Sequence, residues 1–216
     1  MRALGQPEVL RAAAFAALGS AVLSAPRLLQ WPEAPYPIWF YEALLFLGGM
    51  VLWAFVFAWS SRFTQRPVFT LHVAQKDFVT ALVAGIAGAL LQYYLSDPIL
   101  RARIPHDFPA NTKQWLGMTL FGLAFTSLFL VFAPFAWLAR LSGNRTIAAA
   151  LTIAFGLFVV WFKNQRSPTP LEGSALAGLL ATRFVGGAFS ILFFIRGGVV
   201  LAWFFHLLIQ SRLLFE

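Results

Sequence analysis

The sequence predicts an all-α fold: a polytopic bundle of transmembrane helices in one integral membrane domain covering residues 1–216. Hydrophobic residues make up 60% of the chain and charged residues only 11%, whereas about a quarter of the residues in soluble domains are charged. Apolar runs of about 20 residues, the length that a bilayer requires, recur along the chain. The chain also contains 24 Phe and 8 Trp, and we expect most of these aromatic side chains to face lipid.

Residues 1–37 are expected to form an N-terminal segment that precedes the main bundle. Arg2 and Arg11 come before a short, Ala-rich apolar run, which is the outline of a signal peptide. The cleavage region is poor, however, because Pro26 directly follows Ala25. We therefore predict a retained helix that lies in the membrane interface or is inserted into the membrane.

The main bundle, residues 38–214, is predicted to contain about six spans. They are approximately Ile38–Trp59, Phe78–Leu95, Leu116–Ala139, Ile147–Phe162, Ala175–Ile195 and Gly197–Leu214. Only Arg196 separates the last two spans, so they form a tight hairpin, or one of them is broken or re-entrant. With six crossings, the distribution of Lys and Arg favours both termini on the cytoplasmic side, and insertion of the N-terminal segment would reverse the N-terminus.

Composition and charge also restrict the partners and the chemistry. The chain has no Cys, which excludes disulfides, thiolate nucleophiles and cysteine metal sites. Its net charge of +8 is spread over the connecting segments, a pattern typical of contact with anionic lipid headgroups. No basic face lies on a water-exposed element, so we expect no nucleic-acid partner. The expected partners are membrane lipids and other membrane proteins, in the inner membrane of a bacterium.

Three ionisable residues lie inside the predicted spans, where a charged group is costly and marks a candidate site. Glu42 is near the start of its span, and a structural or snorkelling role is the simplest interpretation. Arg183 is deeper in the membrane. We expect it to face the protein interior and to pair with helix-end carbonyls or with a carboxylate, for which Glu42 and Glu172 are candidates.

His206 is the strongest candidate for a functional side chain, and Gln210 lies one helical turn further along the same face. A neutral imidazole hydrogen-bonds a ligand, binds a metal or ligates a chlorin or haem, and it also joins neighbouring helices. His72 and His106 lie in loops, and no zinc-binding spacing occurs, so no metal site is predicted. The sequence also shows no rhomboid-like Ser/His pair.

Two further patterns concern loops and packing. Asp97, His106 and Asp107 fall in the second loop, which we interpret as a solvated connection. The alternative is that these residues form a small polar site. Small residues recur at helical spacing, at Ala84, Gly85 and Gly88 and again at Gly186, Gly187, Gly197 and Gly198. They favour close packing of helices.

The C-terminal half, residues 116–214, resembles the CAAX protease and bacteriocin-processing (CPBP) family of intramembrane proteases. The stretch from Gly187 to His206 looks like the Gly-rich span, short turn and final His-bearing helix of that family. In the family an Asn or Asp follows the His by four residues, and here Gln210 takes that place. The resemblance implies an all-helical fold.

The positions that carry the family's chemistry have changed in this chain. The paired glutamates would fall at Leu128 and Phe129, the Arg at Ala133 and the first His at Val159. In the family, glutamate and histidine are thought to activate a water for peptide hydrolysis, and Leu and Val side chains neither accept a proton nor bind a metal. Only His206 remains, so the resemblance implies a member that has lost proteolysis.

We therefore expect a non-catalytic scaffold or accessory subunit of a membrane complex that requires no cofactor. One alternative is an intramembrane endopeptidase that uses His206 with Glu42 or another acid. Another is a pigment-binding subunit in which His206 is the axial ligand of a chlorin or haem, since Ala202 lies four residues earlier and offers a small face for a macrocycle. Arg183 and Gln210 are expected to be structural polar groups, with the alternative that they frame a lipid headgroup or a quinone.

Overall fold

A computed structural model describes residues 2–30, 35–105, 108–167 and 169–214. These residues form helices joined by short connections and contain no β-strand. Six of the helices in this described part are long and apolar enough to cross a membrane. They are α1 (Pro7–Leu28), α2 (Ile38–Thr64), α3 (Gln75–Arg103), α4 (Thr112–Ser142), α5 (Arg145–Gln165) and α6 (Gly173–Leu214). The predicted all-α transmembrane bundle is thus confirmed.

The N-terminal helix α1 is an integral part of this bundle. Its 22 residues extend about 33 Å, and Pro7 in the first turn suits a helix start because its missing N–H has no intrahelical partner there. Ala13 and Ala17 have no exposed surface, and Gly49 lets α2 approach Ala17 closely. Of the two predicted alternatives for this segment, the structure has the inserted one.

The last two predicted spans are the two arms of α6, which folds back on itself. Non-helical backbone at Gly197 and Gly198 separates arm A, residues 173–196, from arm B, residues 199–214. Ser190 and His206 are 16 residues apart in the chain and 2.8 Å apart in space, whereas a straight helix would separate them by about 24 Å. Of the predicted possibilities, the structure therefore has the tight hairpin.

The turn of this hairpin depends on Gly198 and on the strap, which we define as residues 65–74 between α2 and α3. Gly198 has a φ of +69°, and a methyl group there would lie 2.6 Å from the carbonyl oxygen of Val68. That oxygen accepts a 2.9 Å hydrogen bond from the backbone N–H of Val199. The strap thus satisfies one of the amides that the start of arm B leaves without an intrahelical partner.

Small residues let α3 pack closely against arm B. A methyl group at Gly85 would lie 2.8 Å from the side chain of Leu208, and one at Gly88 would lie 3.4 Å from Ile209. The packing predicted for these two glycines is confirmed. It is wrong for Gly186, which has open space where a side chain would be, and Gly187 has only an ordinary contact with Ile153.

The two chain termini lie at opposite ends of the bundle. Residues 2–5 contact the Val56–Ser60 segment of α2, at the end that also holds the strap and the α6 turn, which we call the tip end. At the opposite end, Gln30 donates to the carbonyl oxygen of Lys113 at 2.9 Å and Trp115 donates to that of Gln210 at 2.8 Å. Helices α1 to α5 make five passes and the two arms of α6 make two more, so the described ends of the chain lie at opposite ends of the bundle. This is the arrangement expected above for an inserted N-terminal segment.

Candidate functional site

His206 lies half-buried on arm B and faces arm A, where it meets Ser190. The Nε2 atom of His206 lies 2.8 Å from the Oγ atom of Ser190. The hydroxyl of Ser190 donates a 2.6 Å hydrogen bond to the carbonyl oxygen of Gly186, one turn earlier on arm A. Since this bond uses the only hydroxyl proton, the imidazole is the donor to Ser190, with its proton on Nε2.

This chain of hydrogen bonds clamps the two arms together and does not arrange a nucleophile. A catalytic serine needs its hydroxyl proton directed at the base and its oxygen open to substrate. Ser190 instead has no exposed surface, and its proton is directed at Gly186. The sequence shows no rhomboid-like Ser/His pair, and it did not reveal that the hairpin brings Ser190 and His206 together across 16 positions.

Arg183 lies on arm A seven residues before Ser190, two turns away along the same side of the helix. Its positive charge is close enough to act electrostatically on His206. Its side chain is exposed on the surface of the bundle. The expectation that Arg183 faces the protein interior is therefore wrong.

The structure does not bring Glu42 and His206 together. Glu42 is half-buried in the second turn of α2, at the end opposite the tip. Within the described parts of the chain, the single hydrogen bond of the His206 side chain goes to Ser190, and no salt bridge joins it to a carboxylate. Gln210 is half-buried one turn beyond His206, and its backbone oxygen accepts the bond from Trp115.

The positions at which the family resemblance implied catalytic residues are packed with apolar side chains. Leu128 has no exposed surface and Ala133 almost none. Phe129 stacks on Phe125 with ring centroids 6.3 Å apart. The Leu128–Phe132 segment of α4 does contact α6, but it presents no group to His206 that takes a proton.

The neighbourhood of His206 also bears on metals and macrocycles. No group of three or more His, Asp or Glu in the described ranges is arranged to hold a metal ion. Ala202 has no exposed surface, so the small face predicted for a chlorin or haem is filled by the core. The Nε2 atom that would serve as an axial ligand is bonded to Ser190.

A buried ion pair that the sequence did not reveal lies at the end opposite the tip. Arg212 binds both carboxylate oxygens of Asp97, with its Nε atom 2.7 Å from one and its Nη2 atom 3.2 Å from the other. The pair joins α3 to the end of arm B, so Asp97 belongs to the core and not to a solvated loop. The other two members of the predicted polar loop, His106 and Asp107, lie outside the described residues.

A second polar contact that the sequence did not reveal joins arm B to α4. The indole nitrogen of Trp203 donates to the hydroxyl of Ser127 at 3.2 Å, and Ser127 donates in turn to the carbonyl oxygen of Leu123. Ser127 stands between two π-helical turns, Gly122–Thr126 and Leu128–Phe132. Like the clamp at His206, this contact links helices within the bundle.

Comparison of the chain with protein-family models, curated proteins and solved structures finds no significant match in any of the three. The resemblance to the CPBP family therefore stays a prediction from the residues quoted above.

Proposed function

We propose that this chain is a non-catalytic, CPBP-like scaffold or accessory subunit of a complex in the inner membrane of a bacterium. The observation that carries the proposal is the exposed Arg183 in the middle of a membrane-spanning arm. A second membrane protein packs against this face of arm A and covers the guanidinium.

The depth of Arg183 makes lipid a poor neighbour for it. Arg183 lies ten residues after the start of α6 at Gly173, a distance of about 15 Å along the helix, which is half of a hydrocarbon core about 30 Å thick. A charge at this depth costs about 2.5–3.5 kcal/mol on insertion scales, and such groups face protein or water. Because this bundle exposes Arg183, a partner is expected to supply the protein environment.

The surface around Arg183 also suits a neighbouring helix. Gly178, Thr182 and Gly186 follow one another at intervals of four residues, and neither glycine has another part of the bundle within 4 Å of where its side chain would be. Such small residues permit close approach of helix backbones. A partner helix that carries a carboxylate, or that ends in free carbonyl groups, would complement the guanidinium of Arg183.

The absence of proteolysis in this proposal rests on the residues around His206. Leu128 and Ala133 occupy the implied acid and Arg positions with apolar groups, and the hydroxyl of Ser190 is buried and back-bonded. The imidazole therefore has a structural partner and no group with which to activate water.

Photo-crosslinking in native membranes tests the docking face. A photoreactive amino acid at position 185, beside Thr182 on arm A, is expected to form one discrete adduct with a different membrane protein. The matched control replaces Val83 on α3, whose side chain is also exposed, and is expected to label lipid alone. Substitution Arg183→Leu should reduce the yield of the adduct at position 185 at least about tenfold, because a loss of about 1.4 kcal/mol in binding free energy weakens affinity tenfold.

Two results would contradict the proposal. Lipid adducts alone at position 185 would mean that no protein covers the face, and an adduct of two copies of this chain would indicate self-association. Cleavage of a membrane-embedded reporter peptide that disappears in a His206→Ala variant would show an active protease instead.

A further inference from the structure

A groove of about 350 Å³ opens on the surface of the bundle below the tip end. The strap, the first turns of α3 and the start of arm B form its walls, with Leu71, Phe78, Val200 and Phe204 among the residues that line it. The rings of Phe78 and Phe204 stack with centroids 4.8 Å apart. The lining is mostly apolar, and the volume falls within the range of about 300–1,000 Å³ that small-ligand sites have.

Two cationic residues, Lys76 and Arg196, lie close in the chain to residues that line this groove. Gln75 lines the groove, and the exposed Lys76 follows it in the first turn of α3. Arg196, at the end of arm A, lies 3.5 Å from the buried carboxylate of Asp77. The side chain of Arg196 is 47% exposed, so much of its guanidinium faces outward while Asp77 holds it in place.

The whole tip end carries an excess of positive charge. Its described basic residues are Arg11, Arg62, Arg66, Lys76, Arg140, Arg145 and Arg196, and its acidic residues are Glu8 and Asp77. Asp77 pairs with Arg196, and the other basic residues still outnumber the acidic ones at this end. An apolar groove that opens beneath such a surface is complementary to a molecule with an anionic head and a hydrocarbon tail.

We propose that this groove is a binding site for one anionic phospholipid. Its acyl chain lies along Leu71, Phe78 and Phe204, and its phosphate contacts Arg196 and Lys76. The site is separate from the Arg183 face and does not depend on the function proposed above, so either proposal can fail without the other.

Native mass spectrometry of the detergent-purified chain tests this site. Phosphatidylglycerol and phosphatidylcholine with identical acyl chains are titrated separately. One phosphatidylglycerol is expected to bind the unaltered chain about fivefold or more tightly than phosphatidylcholine, because each basic residue near a headgroup contributes about 1 kcal/mol. Inorganic phosphate in large excess should leave the bound lipid in place.

Three variants and a control distinguish binding of the lipid headgroup from binding of its acyl chain. Lys76→Gln and Arg196→Gln should each weaken phosphatidylglycerol binding about fivefold and leave phosphatidylcholine binding unchanged. Val200→Trp, which fills the groove, should abolish binding of both lipids. Arg140→Gln removes an exposed charge from the same end, away from the groove, and should change nothing. Lys76→Gln keeps the test valid if Arg196→Gln does not fold, because Lys76 is exposed.

The opposite results would overturn the assignment. Equal affinity for the two lipids would show that no anion site exists. Unchanged phosphatidylglycerol binding in Val200→Trp would place the lipid elsewhere, and an equal effect of Arg140→Gln would indicate general surface charge. Complete displacement by inorganic phosphate would indicate a site for a free anion.

Discussion

The imidazole of His206 donates to the buried hydroxyl of Ser190, which donates in turn to the carbonyl oxygen of Gly186. The Nε2 atom of His206, the hydroxyl of Ser190 and the carbonyl oxygen of Gly186 are thus all hydrogen-bonded, and this matters because a buried polar group without a partner costs about 1–3 kcal/mol. The histidine that carries the family resemblance thus joins the two arms of α6. Arg183 differs from it in that its side chain is exposed on the surface of the bundle.

Substitution Ser190→Ala tests this interpretation of His206. The change leaves the Nε2–H group of His206 without an acceptor, and we expect the free energy of unfolding in detergent to fall by about 1–3 kcal/mol. Ser142→Ala is the matched control, because Ser142 makes the same bond to the carbonyl four residues earlier but is exposed. Thermal unfolding monitored by tryptophan fluorescence measures both variants, and equal stability would show that the clamp does not support the hairpin.

Among the secondary-structure elements, α6 has the largest effect on the fold. Its apolar sequence from 175 to 214 would suit one very long helix or two spans. The non-helical backbone at Gly197 and Gly198 forms a turn that divides it into two arms. The turn needs a positive φ at Gly198 and space for the Val68 carbonyl beside it, and both requirements exclude a side chain. The strap and the hairpin therefore depend on each other.

Gly198→Ala is expected to destabilise this turn strongly. The added methyl group would lie 2.6 Å from the Val68 oxygen in a backbone conformation that L-residues rarely adopt, and we expect a loss of about 3 kcal/mol or more, from strain and from the displaced strap. Gly186→Ala on arm A is the control, since open space surrounds Gly186. Unfolding midpoints of the two variants in the same detergent measure the difference, and similar values would argue against the strap contact.

At the scale of the whole bundle, the α6 hairpin and helix α1 determine at which end each described end of the chain lies. Arms A and B run in opposite directions, α1 is part of the bundle, and the N-terminus lies at the tip end while residue 214 lies at the other. Lys and Arg are nearly balanced between the two ends, so their count in the sequence alone does not orient the chain. The contacts between α1, α2 and α4 decide which segments share an end.

Labelling of single cysteines tests whether the strap and the connection between α5 and α6 lie on opposite sides of the membrane. The chain has no native Cys, so only the introduced thiol reacts. His72→Cys in the strap and Thr169→Cys between α5 and α6 lie at opposite ends of the bundle, so a membrane-impermeant maleimide added to intact cells should label only one of them. Lysed cells, in which both should react, provide the control. Labelling of both positions in intact cells would contradict an odd number of passes between them, those of α3, α4 and α5.

The sequence by itself determined the class of protein and most of the spans. Length and hydrophobicity of a segment are local properties, and the bilayer imposes one length on every helix that crosses it. The predicted spans 38–59, 78–95, 116–139 and 147–162 accordingly lie within α2, α3, α4 and α5. The single Arg196 between the last two predicted spans likewise indicated a tight hairpin or a broken span.

Only the tertiary structure decided which residues meet. Ser190 opposite His206 and Asp97 opposite Arg212 are pairs distant in the chain, and each depends on the direction in which a helix returns. The sequence also did not reveal that Arg183 is exposed. An apolar segment that contains one Arg has the same sequence pattern whether that Arg faces the core or the surface of the bundle. Pairings between helices follow from packing of the whole bundle, to which every helix contributes, and no single segment carries that information.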